Sequence, residues 1–492
     1  MKPTDPPSPE SLSKKVVRGG MWVFALRFTN RSLGFIRTII LARLLAPEDF
    51  GLLGIAMLAI ATLETFSQTG FQAALIRKKE NVESFLDTAW TVSAVRGVLL
   101  FFILFFSAPM VASFFNSPQA TVVIKVIAVS TLLSGFRNIG IIFFQKDLEF
   151  NKQFSYELSA TLVDLTIAIT LAFILRNVWA LVWGGLAANF VRVFMSYIFH
   201  PYRPRVRLDK GEFKELFGFG KWVVGSGILV FLVTQGDDIF VGKMLGVTAL
   251  GFYQMAYLIS NLPATEITHV ISQVTFPAYS KMQNDIPKLR EAYLKVLQIT
   301  AFLSFPIAGL IFVLAPDFTK IFLGEKWMPM VPAMQILVLA GLVRSIAATT
   351  GHVFYAVKRV RIDTILQLVR FVILALLIYP FTVKWGLLGA AIVVLLSIFI
   401  SNIGFSFMVI KITKCSIVDF TKTIIFPLIN TIMVGLVILG LKNTMGIGML
   451  EFIMFVCVGV FGYFIAVYIS DKCFDYGPQA LIKESLKALR SI

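Results

Sequence analysis

Residues 27–38 read RFTNRSLGFIRT. Wound as a helix, this stretch brings Arg27, Asn30, Arg31, Gly34, Arg37 and Thr38 within about 120° of arc. Guanidinium forks on one face suit an anionic group, since each planar fork donates paired hydrogen bonds to phosphate oxygens. The alternative is a structural stripe neutralised by acids of neighbouring helices. Arg96, Arg137, Arg344 and Arg370 also interrupt apolar stretches and join the candidates for anion binding. Acids are fewer. Glu64, Gln68 and Gln72 share one helix face, as do Glu266, His269 and Gln273. Glu157, Thr161 and Asp164 form another, and Asp237 and Asp238 stand side by side in an apolar run. A carboxylate in a low-dielectric site is pushed toward the neutral form, so Glu64, Asp164, Asp237 and Glu266 are candidates for carrying a proton or binding Na⁺. Each could equally neutralise a buried arginine.

The elements that hold these residues follow from composition. The chain has 492 residues, 57% of them hydrophobic, and a mean hydropathy of +0.81. One soluble core could not hide that apolar surface, whereas a polytopic membrane protein turns it toward lipid. Windows of about 20 apolar residues recur, each long enough for a ~30 Å hydrocarbon core. The expectation is an all-α chain of about 14 transmembrane helices. A charge at the centre of such a helix costs roughly 2.5–3.5 kcal/mol on the insertion scale, so the arginines must face protein or a wet cavity. Arg43, Lys125 and Lys221 lie near span ends and can snorkel.

Alternate loops and the two tails hold 28 of the 45 Lys and Arg residues, and the loops between them hold six. By the positive-inside rule both termini are cytoplasmic. The net charge of +17 is then a topology signal and calls for no nucleic-acid partner. The Pro-rich residues 1–18 read as a tail, and 471–492 as a cytoplasmic tail whose Leu481, Ile482, Leu486 and Leu489 suit an interfacial helix.

The chain repeats itself. ARLLAPEDFGLLGIA at 42–56 is echoed by GKMLGVTALGFYQMA at 242–256, with Gly51 meeting Gly251. At nearly the same offset Arg37 meets Asp237, Asp164 meets Arg370, Arg137 meets Arg344 and Trp179 meets Trp385. Duplicated six-span bundles give two parallel lobes, 19–200 and 216–410, joined by a cytoplasmic linker at 201–215. Spans 13 and 14 occupy 411–470. Gly51 and Gly251 are expected in tight structural turns.

ARLLAPEDFGLLGIA…TGFQAALIRKKE, DDIFVGKMLGVTALGFYQMAYLISNLPA, VTFPAYSKMQ and FLGEKWMPMVPAMQILVLAGL together resemble the polysaccharide-transport branch of the multidrug/oligosaccharidyl-lipid/polysaccharide exporter superfamily, and within it the Wzx-type bacterial flippases. The resemblance implies two lobes around a central cavity, alternating access and a polyprenyl-diphosphate-linked oligosaccharide cargo for O-antigen, capsule or exopolysaccharide synthesis. It also implies a bacterial cytoplasmic-membrane location among membrane lipids, with a polymerase and glycosyltransferases of the same pathway as partners. The seven arginines then become candidate diphosphate ligands. No cofactor or metal is expected: no P-loop occurs, and His200, His269 and His352 lack metal-ligand spacing. Two other readings are an ion-coupled multidrug antiporter of the same superfamily and a membrane enzyme acting on the same glycolipid. Short outer loops and the lack of a convergent acid/base pair weigh against an enzyme.

The topology is directly testable. A reporter at residue 210 is expected on the cytoplasmic side, and one near Asn443 outside; residues 201–215 found outside would overturn the span count.

Overall fold

The computed structural model describes residues 9–68, 70–77, 82–262, 264, 275–276, 278–446 and 448–474. The expected Glu266 site, with His269 and Gln273, and the C-terminal interfacial helix beyond residue 474 lie outside the described residues. Every extended element within them is helical. Among the described residues, nine helices are long and apolar enough to cross a membrane, or ten if one bent pair is a single span. That measure does not reach the expected 14, and two reasons are visible. The arginine stripe lowers the hydropathy of the first helix, and one 54-residue helix, Val360–Thr413, counts once. At 1.5 Å per residue that helix would run about 80 Å, far more than a hydrocarbon core. It is folded at Gly386, whose φ of 57° lies in the left-handed region. A Cβ on Gly389 would fall 2.0 Å from the Phe381 carbonyl oxygen, so the two arms double back and supply two spans.

The chain divides into two compact units, residues 1–235 with 242–251, and 236–241 with 252–492. In the first, α1 is Pro9–Leu44, α2 Pro47–Phe66, α3 Phe71–Arg77, α4 Val82–Phe114 and α5 Ala120–Gly135. Then come α6 Ile142–Lys146, α7 Phe150–Leu175, α8 Trp179–Phe199 and the long α9, Lys210–Leu245. α1 is helical from the first described residue, Pro9, within the stretch expected to be a tail. α1 packs on α7, α4 on α5, and α7 on α8. Small residues allow the close approach: Gly97 and Gly135 meet backbone to backbone, and Gly184 lies against Ala168. Large apolar side chains such as Phe102, Phe106, Met110 and Ile174 point outward. In water such a surface would aggregate, whereas lipid accepts it.

Two spans of this unit are broken. α2 stops at Phe66 and the helix resumes as α3. α5 stops at Gly135, and the segment Ile139–Lys146 leaves at 71°. Asn138, fully buried, fixes the second break. Its Oδ1 accepts the Gly140 N–H at 2.9 Å, and its Nδ2 donates to the Tyr202 carbonyl at 2.7 Å. The linker from His200 to Asp209 runs extended along the start of α4. The N–H groups of Arg205, Arg207 and Asp209 donate to Asp87, Thr91 and Thr88 at 3.1, 3.1 and 3.2 Å. Asp209 then caps α9 by accepting from Gly211 and Glu212. The Glu212 and Gly211 N–H groups hold its carboxyl below the usual range. The cap is thus fully formed at neutral pH and weakens only as acid protonates it.

The echoed stretches meet within this unit. Gly51 and Gly251 are not in turns. Gly51 lies inside α2 and Gly251 inside α10, Val247–Ser260, and the positive-φ turn before α10 is made by Gly246. Both glycines serve close approach: a Cβ on Gly51 would fall 1.9 Å from the Val247 carbonyl oxygen, and one on Gly251 2.0 Å from that of Pro47. Each is the other's image at an offset of 200, so the contact is reciprocal.

The second unit contains most of α10, then α11 Ile286–Phe318, α12 Val331–Ala356, α13 Val360–Thr413, α14 Ile417–Lys442 and α15 Met449–Phe474. α11 and α12 pack together around Tyr293, Leu297, Ala301, Val353 and Phe354. The two helices beyond the duplication are fastened to α11: Lys442 on α14 forms a buried ion pair with Asp317, and Phe455 on α15 packs with Leu314 and Ile438.

Gly51→Ala and Gly251→Ala should each lower thermal stability by about 1–3 kcal/mol, because backbone, not a flexible side chain, must move. Gly185→Ala, with open space around it, should change stability by less than about 0.5 kcal/mol. Thermal unfolding of the purified variants reads both.

Candidate functional site

The arginine stripe of α1 faces α7. Asn30 Oδ1 accepts from Thr161 Oγ1 at 3.1 Å, and Arg37 Nη2 donates to Asp164 at 2.9 Å. Glu157, on the same face of α7, pairs with Arg192 of α8 at 3.3 Å. The face Glu157, Thr161, Asp164 is therefore a polar seam between helices. For Arg37 and Asp164 the structure shows the strut arrangement, two charges satisfying each other at apolar depth. Arg27 and Arg31 lie on the same helix, half-buried, and both have protein partners.

The second unit holds a pair of reversed polarity. Asp237, the repeat image of Arg37, is buried within electrostatic reach of Arg370, the image of Asp164, and of Arg344. Tyr253 donates its hydroxyl to Asp237 Oδ2 at 2.8 Å. Arg344 donates to Asn261 Oδ1 at 3.0 Å and lies 5.3 Å from the Tyr257 ring centre. Asp237 Oδ1 and Asp238 Oδ1 have no hydrogen-bond partner among the described residues. Tyr253, Tyr257 and Asn261 were not marked by sequence reasoning: an aromatic residue in an apolar helix carries no visible sign of a polar role.

The remaining candidates, Glu64, Arg96 and Arg137, come together in one cavity of the first unit, about 650 Å³ in volume. It opens where the two broken spans face α4. Arg96 reaches from α4 to the end of α2, donating from Nε to the Ser67 carbonyl at 2.9 Å and to Ser67 Oγ at 3.0 Å. Its Nη2 donates to the Glu64 carbonyl at 3.1 Å. These carbonyls are orphaned by the helix end, and a guanidinium there satisfies them and favours the negative end of the helix dipole. Arg96 is thus a positioning residue for the cavity wall. Arg137 differs. It stands at the break after α5, its Nε is buried, and it has no hydrogen bond or ion pair among the described residues. Gln68, Gln72 and Gln145 complete the polar lining. Gln145 was missed because its partner residues are distant in sequence and only the 71° bend after α5 brings it to the cavity.

A guanidinium with no hydrogen bond or ion pair among the described residues, facing three amides inside a membrane-spanning bundle, is equipped to hold an anionic polar headgroup away from lipid. Comparison with known proteins agrees in class. The family model described as "Polysaccharide biosynthesis protein" matches residues 40–332. The chain belongs to this family. The Escherichia coli lipopolysaccharide biosynthesis protein WzxC is 27% identical over 355 residues, 72% of each chain. Among solved structures, the lipid II flippase MurJ in an inward closed conformation superposes with a TM-score of 0.73 at 17% identity, covering 92% of this chain and 99% of MurJ. An inward-facing multidrug-resistance MATE transporter of the MOP superfamily gives 0.62 at 17% identity, covering 79% of this chain and 96% of that one. The fold is that of MurJ and this MATE transporter, as the sequence resemblance implies, and the chain is a multi-pass membrane protein.

The strut arrangement predicts a compensated swap. Arg37→Ala leaves Asp164 unpaired and should cost about 2 kcal/mol, a partly exposed fraction of the ~3–5 kcal/mol seen when a fully buried pair is broken. Arg37→Asp combined with Asp164→Arg should restore folded protein in the membrane, since the second unit carries that polarity naturally. Abundance and melting temperature of the detergent-purified variants provide the readout.

Proposed function

We propose that this protein is a flippase that carries polyprenyl-diphosphate-linked oligosaccharide repeat units across the bacterial cytoplasmic membrane by alternating access, for O-antigen, capsule or exopolysaccharide synthesis. In this reading two parallel six-span lobes move about the cargo, both termini are cytoplasmic, and the chain makes or breaks no sugar bond. A polymerase and glycosyltransferases act before and after it. The observation that carries the reading is Arg137: a guanidinium with no hydrogen bond or ion pair among the described residues, lining a polar cavity in an otherwise apolar bundle. The fork meets a phosphate oxygen pair of the carrier. Arg27 and Arg31, one turn apart on α1, and Arg344 and Arg370 in the second unit offer further cationic contacts as the anionic headgroup passes.

Coupling to an ion gradient falls to Asp237 among the acids described. It is buried and keeps one carboxylate oxygen without a hydrogen-bond partner. Asp164 is engaged with Arg37, and Glu64 faces the cavity. Export of cationic drugs fits less well, since such a cavity needs an excess of carboxylates and this one has two arginines to one glutamate.

In proteoliposomes, flipping of a polyprenyl-diphosphate-linked oligosaccharide should fall in the order Arg137, Arg137→Lys, Arg137→Gln, with at least a tenfold loss for glutamine, a difference of about 1.4 kcal/mol. Folded protein should stay abundant, because Arg137 makes no hydrogen bond or ion pair among the described residues. Wild-type flipping by Arg137→Gln would overturn the assignment.

A further inference from the structure

We infer that the cavity of the first unit is a carbohydrate subsite, in which Gln68, Gln72, Gln145 and Glu64 bind pyranose hydroxyls beside the phosphate contact at Arg137. This rests on the flippase reading for the source of the sugar; the chemistry comes from the lining itself.

Not every polar group around the cavity is available. The hydroxyls of Ser93, Thr131 and Ser134 donate to carbonyls of their own helices, Ala89, Ala128 and Thr131, at 2.9, 2.7 and 2.8 Å. Arg96 is held by Ser67 and the Glu64 carbonyl. The three glutamine amides, by contrast, make no hydrogen bond among the described residues, and neither does the Glu64 carboxylate. An amide offers two donors and two acceptors, and a carboxylate only acceptors. A hydroxyl is both donor and acceptor, so adjacent ring hydroxyls can donate to Glu64 while giving and accepting at the edge of an amide.

The placement is also telling. Gln68 follows the end of α2, Gln72 is on α3 and Gln145 on α6. They flank the two broken spans, so both helix interruptions turn an amide into one space. The three amides are exposed to this space, so a hydroxyl-rich occupant can take the place of water at their donors and acceptors. The volume of about 650 Å³ lies within the ~300–1,000 Å³ of small-molecule sites. The lining has no surplus of acid for a cationic ligand, and its single unengaged cation leaves room for neutral rings next to one anionic group.

The test uses the full chain in nanodiscs and saturation-transfer NMR with a panel of methyl glycosides: glucoside, galactoside, mannoside and N-acetylglucosaminide. These carry neither phosphate nor lipid. At least one should bind wild type. Gln68→Leu/Gln72→Leu and, independently, Gln145→Leu should each weaken it at least tenfold, while pyrophosphate binding, which reports Arg137 and a folded cavity, stays within twofold. Equal glycoside binding by the variants, or no glycoside bound by wild type, would overturn the subsite. A polyprenyl-diphosphate-linked disaccharide should displace the glycoside. If glycoside binding followed the variants but this lipid failed to displace it, the sugar subsite would stand for free saccharides and the flippase reading would fall.

Discussion

The pairing of charge inside an apolar bundle is the constraint to which the rest of this structure answers. Hydrocarbon offers no solvation, so each guanidinium there must find a carboxylate, a run of carbonyls or a wet cavity. All three solutions occur. Arg37 meets Asp164, Arg96 meets the open end of α2, and Arg137 meets a cavity. The second unit answers the same constraint with opposite sign, since Asp237 and Arg370 are the sequence counterparts of Arg37 and Asp164. What the repeat preserves is the presence of a pair, because a lone charge of either sign is the costly state.

Broken helices follow from the same logic. Interrupting a span exposes backbone groups that lipid cannot satisfy. Here each break is closed by a specific side chain, Arg96 at the end of α2 and Asn138 after α5. Once closed, the breaks become useful, for they turn side chains away from the regular helical face and into one space. Asn138 also reaches the carbonyl of Tyr202, and Tyr202 and the backbone after it are bound to α4. The wall of the cavity and the linker into α9 are therefore parts of one hydrogen-bonded assembly.

Much of this was legible in the sequence. Hydropathy gives the class, and the helical faces Arg27–Arg37 and Glu157–Asp164 read correctly as polar stripes because helical period alone defines them. That the stripes face each other was not legible, since period says nothing about which neighbour a face meets. Glu64, Arg96 and Arg137 were found by their charge in apolar runs, yet their different uses depend on where α2 and α5 stop. Gly51 and Gly251 were noticed through the repeat and assigned to turns. A glycine needed for close approach and one needed for positive φ look alike in a sequence, and Gly246 was the one that turned the chain.

The reciprocal contact of those two glycines joins backbone to backbone, with no side chain between. Most contacts in a protein form only when rotamers are frozen, and long side chains give up roughly 1.5–2 kcal/mol of entropy on ordering. A glycine has no rotamers to lose. The Gly51–Val247 and Gly251–Pro47 approaches can therefore part and reform without reordering any glycine side chain. In kinetic terms this is a joint with little friction: its speed is set by the helices it connects.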